Sequence, residues 1–129
     1  MDNFIFEILR AIKANTFDLI VARQYSWQGF QKLRLGGYNA AIQDYTNAIK
    51  QKPNFARAYY RRGLARLKVN DNKGAMEDFS KAIELKPQRL KYYFGRGVSK
   101  YKLKNYKGAI DDYTVNLNLL KLISKKRLI

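Results

Sequence analysis

Apolar, small and aromatic residues recur along the chain at a fixed interval of 34 positions. Within each interval the apolar positions lie three or four residues apart, a spacing typical of amphipathic helices, and a short break divides the interval in two. The recurring residues are glycines, alanines, aromatic residues and aspartates: Gly29, Gly63 and Gly97; Ala41, Ala75 and Ala109; Tyr45, Phe79 and Tyr113; Asp44, Asp78 and Asp112. This pattern predicts three pairs of helices, each burying its apolar face against its neighbours.

Turn-forming residues mark the breaks, which lie at Gly36-Gly37, Asn70-Asp71 and Lys104-Asn105. Glycine and asparagine tolerate the left-handed conformation that ends a helix, so the first two breaks are stronger than the third. The second helices are predicted over residues 38–50, 73–85 and 106–119 or beyond. Pro53 and Pro87 follow the first two of these helices and prevent their continuation.

Each recurring glycine lies inside a predicted helix, although glycine in a helix costs about 1 kcal/mol relative to alanine. Close packing explains this choice, because a missing side chain lets a second helix approach. In the second unit Gly63 is expected to face Ala75, and the ring of Phe79, four residues further along the same face, fills the space beyond. The recurring aspartates are interpreted as surface or inter-repeat contacts, and Arg62 and Arg96 as helix-helix contacts.

A 34-residue helix-turn-helix with these small, aromatic and proline positions resembles the tetratricopeptide repeat family. The second unit carries Tyr59, Gly63, Ala75, Phe79, Ala82 and Pro87, and the first carries Tyr25, Gly29, Ala41, Tyr45, Ala48 and Pro53. The third unit keeps Tyr93, Gly97, Ala109 and Tyr113, but it has Asn116 and Lys121 where a small residue and a proline are expected. The resemblance implies an all-α, right-handed α-solenoid of three repeats, over residues 22–55, 56–89 and 90–121, with extra helical segments at both ends.

The segments outside the repeats are both expected to be helical. Over residues 1–21, the N-terminal capping region, five apolar residues share one helical face: Phe4, Ile5, Ile8, Leu9 and Ile12. Asn15 or Thr16, with Asp18, is predicted to begin the next helix, so that this region forms an extra helix that closes the first repeat. A membrane anchor is disfavoured, since the acidic residues of this helix suit anionic lipid poorly.

Residues 122–129 form a basic and apolar tail that is predicted to extend the last helix, because no proline stands at position 121. Its apolar stripe and its cations begin before the tail itself: Val115, Leu117, Leu119, Leu120, Leu122, Ile123, Leu128 and Ile129, with Lys121, Lys125, Lys126 and Arg127. Three interpretations stay open, in which the tail folds back as a cap, offers its stripe to a second copy, or lies on an acidic surface or membrane. A cap or self-association is favoured, because the ends of a repeat stack need cover.

The chain has 129 residues, a formal charge of +16, 47% hydrophobic residues and neither cysteine nor histidine. This apolar content suits one folded domain, and the missing residue types exclude disulfides and thiol, zinc-finger, haem or imidazole chemistry, so that we expect no cofactor and no metal. No run approaches the roughly 20 apolar residues that span a bilayer, and the N-terminus lacks a basic signal start, so a cytoplasmic protein is expected. An enzyme is not expected, because adjacent carboxylates such as Asp111 and Asp112 point about 100° apart on a helix.

In proteins similar to this family, the first helix of each pair lines the concave face of the stack. The resemblance therefore implies a groove of cations with aromatic and aliphatic residues, and without any acidic residue: Arg23, Phe30, Arg34, Arg57, Tyr60, Arg61, Leu64, Lys68, Lys91, Phe94, Tyr101 and Lys102, with Ser26, Leu33, Leu67 and Val98 beside them. Family members that clamp the acidic carboxyl terminus of cytosolic chaperones use a particular set of residues at five of these positions. The five positions hold Ser26, Phe30, Arg61, Lys91 and Gly95 here. Only Lys91 matches, so this binding mode is not expected.

Such a groove predicts a non-catalytic scaffold or adaptor that binds an extended acidic peptide, with arginine and lysine meeting carboxylates and aromatic residues taking apolar side chains. Two alternatives stay open. The net charge alone attracts nucleic acid through its phosphates, although the sequence carries no nucleic-acid-binding motif. The apolar ends also suit a structural module that assembles with copies of itself into a homo-oligomer.

Overall fold

The computed structural model of the chain describes residues 2–127, and these residues form six helices and no strand. The helices are α1 (Asp2–Arg34), α2 (Tyr38–Gln51), α3 (Ala56–Lys68), α4 (Asn72–Leu85), α5 (Leu90–Lys102) and α6 (Tyr106–Arg127). Each first helix packs on the second helix of its own repeat, and α2 and α4 pack on the first helix of the next repeat. The predicted all-helical stack of three repeats is confirmed.

The stack curves toward its first helices. Within residues 2–127, α1 touches α3 and α3 touches α5, whereas α2, α4 and α6 make no contact with one another. Helices that approach each other lie on the inner side of a curved stack, so α1, α3 and α5 line the concave face.

The predicted breaks all lie between the two helices of a repeat, and each contains a residue with a positive φ angle. These residues are Gly36 (82°), Asn70 (63°) and Lys104 (65°). Lysine is unfavourable in this conformation, and the following residue offsets its cost. The Asn105 side chain accepts a hydrogen bond of 3.0 Å from the backbone N–H of Gly108 and so caps α6.

Close packing at the recurring glycines is also confirmed. The Tyr45 ring lies over Gly29, and a Cβ atom at Gly63 would stand 2.9 Å from Cε1 of Phe79. At Gly97 the corresponding distance to Cε1 of Tyr113 is 2.6 Å. A side chain at either of the last two positions would displace an aromatic ring.

The recurring aspartates are buried inside their own repeats, so the prediction of surface or inter-repeat contacts was wrong. Asp78 is 3% exposed and accepts hydrogen bonds of 2.7 and 3.0 Å from Arg62 and one of 2.9 Å from Arg66. The partners recur with the same period: Arg96 and Lys100 bind Asp112, and Lys32 binds Asp44. A buried carboxylate requires such partners, and the first helix of each repeat supplies them.

Arg62 and Arg96 are helix-helix contacts, as predicted. Besides its aspartate, each guanidinium also reaches a hydroxyl oxygen of the preceding repeat, at 3.2 Å on Thr46 and 3.5 Å on Ser80. Each arginine therefore joins three helices of the stack.

The expected separate capping helix at the N-terminus is wrong, because α1 runs without interruption through positions 15 and 16. The Thr16 hydroxyl donates a hydrogen bond of 2.8 Å to the Ile12 carbonyl instead of capping a new helix. Neither glycine nor proline interrupts the backbone in this segment, so the helix continues. Its first turns project beyond the part that packs on α2, and Phe4 and Phe17 are among the residues left exposed.

The tail extends the last helix as predicted, and α6 continues to Arg127. It does not fold back as a cap, because Leu117, Leu120, Leu122 and Ile123 all remain exposed. Asn116, the departure from the repeat pattern, donates a hydrogen bond of 2.8 Å from its side-chain amide to the Leu90 carbonyl. The predicted positions Met1, Leu128 and Ile129 lie outside the described residues. Over residues 2–127, no helix combines the length and the apolarity needed to cross a bilayer.

Candidate functional site

Two recesses open on the concave face, and most of the predicted groove residues line them. The first, termed the arginine pocket, has a volume of about 310 Å³ and is lined by Arg23, Ser26, Trp27, Phe30, Phe55, Arg57 and Arg61. The second, termed the leucine pocket, has a volume of about 370 Å³ and is lined by Leu33, Tyr38, Leu64, Leu67, Lys68, Val98 and Lys102. Phe55 precedes α3, and all other lining residues except Tyr38 come from α1, α3 and α5.

The arginine pocket combines cations with aromatic rings. The Arg61 guanidinium lies 4.4 Å from the centre of the Phe30 ring, and that of Arg34 lies 5.8 Å from the same ring. Arg57 is similarly placed 5.8 Å from the Phe55 ring. Guanidinium groups stack favourably on aromatic faces and keep their hydrogen-bond donors free at the edge. The rings therefore hold the arginines in place without neutralising them.

The three arginines of the pocket have no carboxylate partner among the described residues. The cations of the repeat interior differ in this respect, because Arg62 and Arg96 each bind a buried aspartate. No acidic residue lines either pocket in the described part of the chain. The concave face therefore carries positive charge that the protein itself does not neutralise.

Tyr45 of α2 lies beneath the arginine pocket and is fully buried. Its ring end lies over Gly29, one helical turn from Ser26, and it shares a core cluster with Phe55. Its hydroxyl has no partner at full hydrogen-bond geometry, although the Arg61 guanidinium lies close to it. Burial raises the pKa of Tyr45 to about 12, against the opposing effect of the nearby Arg61 guanidinium. The hydroxyl does not itself line the pocket, so its effect on a ligand would act through Arg61.

The leucine pocket has an apolar floor and a basic rim. Leu33, Leu64 and Val98 come from three successive first helices, and the exposed Lys68 and Lys102 stand at its margin. Such a recess accommodates an apolar side chain whose neighbours along a bound peptide are acidic.

Three predicted aromatic residues lie in neither pocket. Tyr60 packs 5.7 Å from Phe79 and 5.0 Å from Tyr92 between ring centres, so it belongs partly to the core. Burial raises the pKa of Tyr60. Phe94 packs on Tyr113, and Tyr101 packs on Tyr106.

Lys91 lies 5.0 Å from the centre of the Tyr60 ring and lines a further depression of about 320 Å³ at the edge of the groove. That depression also contains Arg57, Lys86 and Arg89, so its edge extends the positive surface of the arginine pocket.

Sequence reasoning missed Trp27, Phe55 and Tyr45. Phe55 stands in the short connection between α2 and α3, and Tyr45 belongs to a second helix, whereas only first helices were assigned to the groove. The signal that singles out this place is Arg61, because the equivalent position in the third repeat is Gly95. Within residues 2–127 no group of three histidine, cysteine or acidic side chains comes together to hold a metal.

Comparison with known families identifies the type of repeat over residues 32–89. A family model described as TPR repeat matches residues 32–70, and one described as tetratricopeptide repeat matches residues 56–89. No curated protein matches the chain significantly in sequence.

Several solved structures are similar to the chain. The first TPR of Spaghetti (RPAP3), bound to the HSP90 peptide SRMEEVD, has a TM-score of 0.76 and 25% identity, with 78% of this chain and 80% of that chain covered. The second TPR of Spaghetti, bound to the same peptide, has a TM-score of 0.80 and 26% identity, with 83% of this chain and 98% of that chain covered. The Arabidopsis OM64 TPR domain has a TM-score of 0.79 and 27% identity, with 86% of this chain and 96% of that chain covered.

Proposed function

The chain is a tetratricopeptide repeat protein, and we propose that it is a non-catalytic scaffold that binds an extended acidic peptide along α1, α3 and α5. The two pockets lie on the same concave face, and residues of α1 and α3 line both of them. A peptide that spans them places an anionic group against the arginines and an apolar side chain among the leucines. The scaffold is already formed, so only the peptide is ordered on binding.

The charge distribution is the observation that carries this proposal. Arg62, Arg66 and Arg96 are paired with buried aspartates, and they stabilise the repeats. Arg23, Arg57 and Arg61 face the groove without a carboxylate partner in the described residues. Unpaired arginines beside an apolar recess favour an anionic ligand, because charge-assisted hydrogen bonds are among the strongest that a protein surface offers.

Similar structures support an acidic peptide as the ligand. The peptide SRMEEVD, which is bound in both Spaghetti structures, contains two glutamates, one aspartate and the apolar residues methionine and valine. This composition has the same two components, acidic and apolar, that the two pockets require. The proposal includes a cytoplasmic location, with which the lack of cysteine is compatible.

Capture from a nuclease-treated lysate at physiological salt tests the proposal. A groove variant combines Arg57→Gln, Arg61→Gln and Lys91→Gln. A control variant removes the same charge from exposed positions outside the groove, with Lys50→Gln, Lys73→Gln and Lys107→Gln. Tyr60 is left unchanged because its ring packs on the core.

We expect the native chain and the control variant to retain a discrete protein that the groove variant does not retain. Equal retention by all three chains would remove the concave face as the binding surface. Loss of all retained material after nuclease treatment would favour the nucleic-acid alternative, whose affinity falls steeply with salt.

Self-association through the last helix is a second candidate function, and one observation favours it. Ile83 of α4 packs in a cluster with Tyr92 of the following first helix, whereas its equivalent in α6, Leu117, is 57% exposed. Ile110 of α6 is 62% exposed. By the repeat symmetry, this face of α6 is suited to a further helix that would pack on it as α5 packs on α4.

A second copy supplies a helix of suitable chemistry. The projecting part of α1 is rich in exposed apolar residues and carries Glu7 and Asp18, while the end of α6 carries Lys121 and Lys125. Sedimentation velocity with Ile110→Glu and Leu117→Glu tests this contact, with Leu35→Glu as a matched change at an exposed turn. We expect a dimer for the native chain and the control and a monomer for the double variant. A native monomer at all concentrations would exclude self-association.

A further inference from the structure

Equivalent positions differ in kind at the base of the arginine pocket. Residues 61 and 95 are related by the repeat period, as are residues 45 and 79. In the second repeat the Phe79 ring lies directly against Gly95, where a Cβ atom would stand 2.7 Å from Cε1 of the ring. Where the first repeat meets the second, the same two positions hold Tyr45 and Arg61. The ring thus gains a hydroxyl, and a guanidinium side chain stands in place of the glycine.

The donors around this pocket outnumber the acceptors of a simple carboxylate. Three guanidinium groups line it, together with Ser26, which is 3% exposed, and the buried Tyr45 hydroxyl lies beneath it next to Arg61. A carboxylate offers two oxygens and one negative charge, whereas a phosphate monoester offers three oxygens and a charge of about −1.5 to −2 at pH 7. The excess of donors and positive charge therefore favours the phosphate.

Aromatic rings form the apolar part of the same pocket. Trp27, Phe30 and Phe55 line it. Its volume of about 310 Å³ lies near the lower end of the range of small-ligand pockets, roughly 300–1,000 Å³. A flat ring fits between aromatic side chains, with offset or edge-to-face contacts.

We propose that the arginine pocket is a phosphate-monoester site that takes an aryl phosphate, in the form of a phosphotyrosine side chain of the bound peptide. The phosphate lies among Arg23, Arg57 and Arg61, and the tyrosine ring lies among the aromatic side chains. Tyr45 lies below the pocket and positions Arg61. This assignment rests on the proposed peptide function and names the anionic group that the first pocket selects.

The fluorescence of Trp27 reports on the pocket directly, because it is the one tryptophan of the chain and lines the recess. The full chain is titrated with phenyl phosphate, inorganic phosphate and phenylacetate in chloride buffer at physiological ionic strength. We expect saturable binding of phenyl phosphate, at least tenfold weaker binding of phenylacetate, and weaker binding of inorganic phosphate because it lacks the ring. Equal affinity for phenyl phosphate and phenylacetate would overturn the assignment.

Variants separate the donors from the general charge of the groove. Arg61→Gln is expected to weaken phenyl phosphate binding at least tenfold, and Tyr45→Phe about threefold with its helical circular dichroism unchanged. Lys73→Gln, at an exposed position outside the groove, removes the same charge as Arg61→Gln and is expected to leave the affinity for phenyl phosphate unchanged. A native affinity in both Arg61→Gln and Tyr45→Phe would contradict the proposed site.

Phosphatase treatment of the lysate distinguishes this inference from the function on which it rests. We expect the protein that the native chain captures to be lost after treatment. Capture that persists after phosphatase but not with the groove variant would overturn the phosphate site and leave the peptide function standing. Binding of phenyl phosphate without any captured protein would overturn the peptide as its source and indicate a free aryl phosphate.

Discussion

The two junctions between neighbouring repeats use equivalent positions for different purposes. Where the second repeat meets the third, the Phe79 ring fills the space between Gly63 and Gly95 and leaves no room for a side chain. Where the first meets the second, Arg61 replaces the second glycine and the arginine pocket opens beside it. The junction of the second and third repeats is therefore filled by close packing, whereas the junction of the first and second repeats leaves an open, charged recess. The same repeat architecture thus accommodates a stabilising contact and a binding site.

The largest effect that separates the junctions is expected from Gly95→Leu. The leucine side chain would clash with the Phe79 ring. Overpacking of a dense core is expected to lower the free energy of unfolding by roughly 4 kcal/mol. Arg61→Leu, at the equivalent position of the other junction, is expected to cost less than about 1 kcal/mol. Urea denaturation measures both. Equal losses would show that the two junctions are packed alike.

Arg62→Met and Arg96→Met test what the junctions share. Each arginine binds a buried aspartate and reaches the preceding repeat, so each change is expected to cost about 3 kcal/mol. The matched change Lys81→Met removes an exposed partner of the exposed Glu84 and is expected to cost no more than about 1 kcal/mol. Thermal unfolding compares the three, and a loss at Lys81 as large as at Arg62 would refute this ranking.

Exchange of the two rings sharpens the comparison further. Phe79→Tyr places a hydroxyl where the ring is closely packed and is expected to destabilise the chain by about 2 kcal/mol. Tyr45→Phe removes an unpaired buried hydroxyl and is expected to stabilise it by about 1 kcal/mol. Chemical denaturation of both variants is the check. Destabilisation by Tyr45→Phe would mean that the hydroxyl is already satisfied without a ligand.

The smallest effect is a dependence of stability on alkaline pH. The pKa of Tyr45 is raised to about 12 in the folded chain, from 10.0 for an unperturbed tyrosine. Between these values the unfolded chain releases the phenolic proton and the folded chain keeps it, so stability falls as pH rises. We expect this fall to be shallower in Tyr45→Phe, and the latest step of tyrosinate absorbance to be missing. An identical slope in both chains would assign the loss to other groups.

Much of this arrangement could be predicted from the sequence because the repeat period is a local signal. Glycines such as Gly63 and breaks such as Asn70-Asp71 recur at 34 residues, and each reports on its own helix pair. The burial of Asp78 escaped prediction because its partners, Arg62 and Arg66, lie on another helix. The arginines reach the aspartate only when the two helices pack together.

The two ends of the chain and the candidate site show more clearly what the sequence could not predict. Polar residues at 15 and 16 are possible helix starts, but only an interrupting glycine or proline or a competing contact makes them actual starts. Most of the predicted groove residues line the two pockets, but Arg34, Tyr60, Lys91, Phe94 and Tyr101 line neither. Tyr60 was assigned to the groove although its ring packs on Phe79, and the relation of Tyr45 to Arg61 crosses from one repeat to the next. The binding roles of all these residues stay predictions.

Contacts between nearest neighbours alone make the stack a one-dimensional array within the described residues. Its middle unit, α3 and α4, has a neighbour on both sides, whereas the first pair and the last pair each have one, so local opening is expected to begin at both ends of the array. Opening of the last pair removes Val98 and Lys102 of α5 from the leucine pocket, but the arginine pocket is lined by α1, α3 and Phe55 and does not depend on that pair. Fraying of the last pair therefore dismantles the apolar recess and leaves the charged one formed.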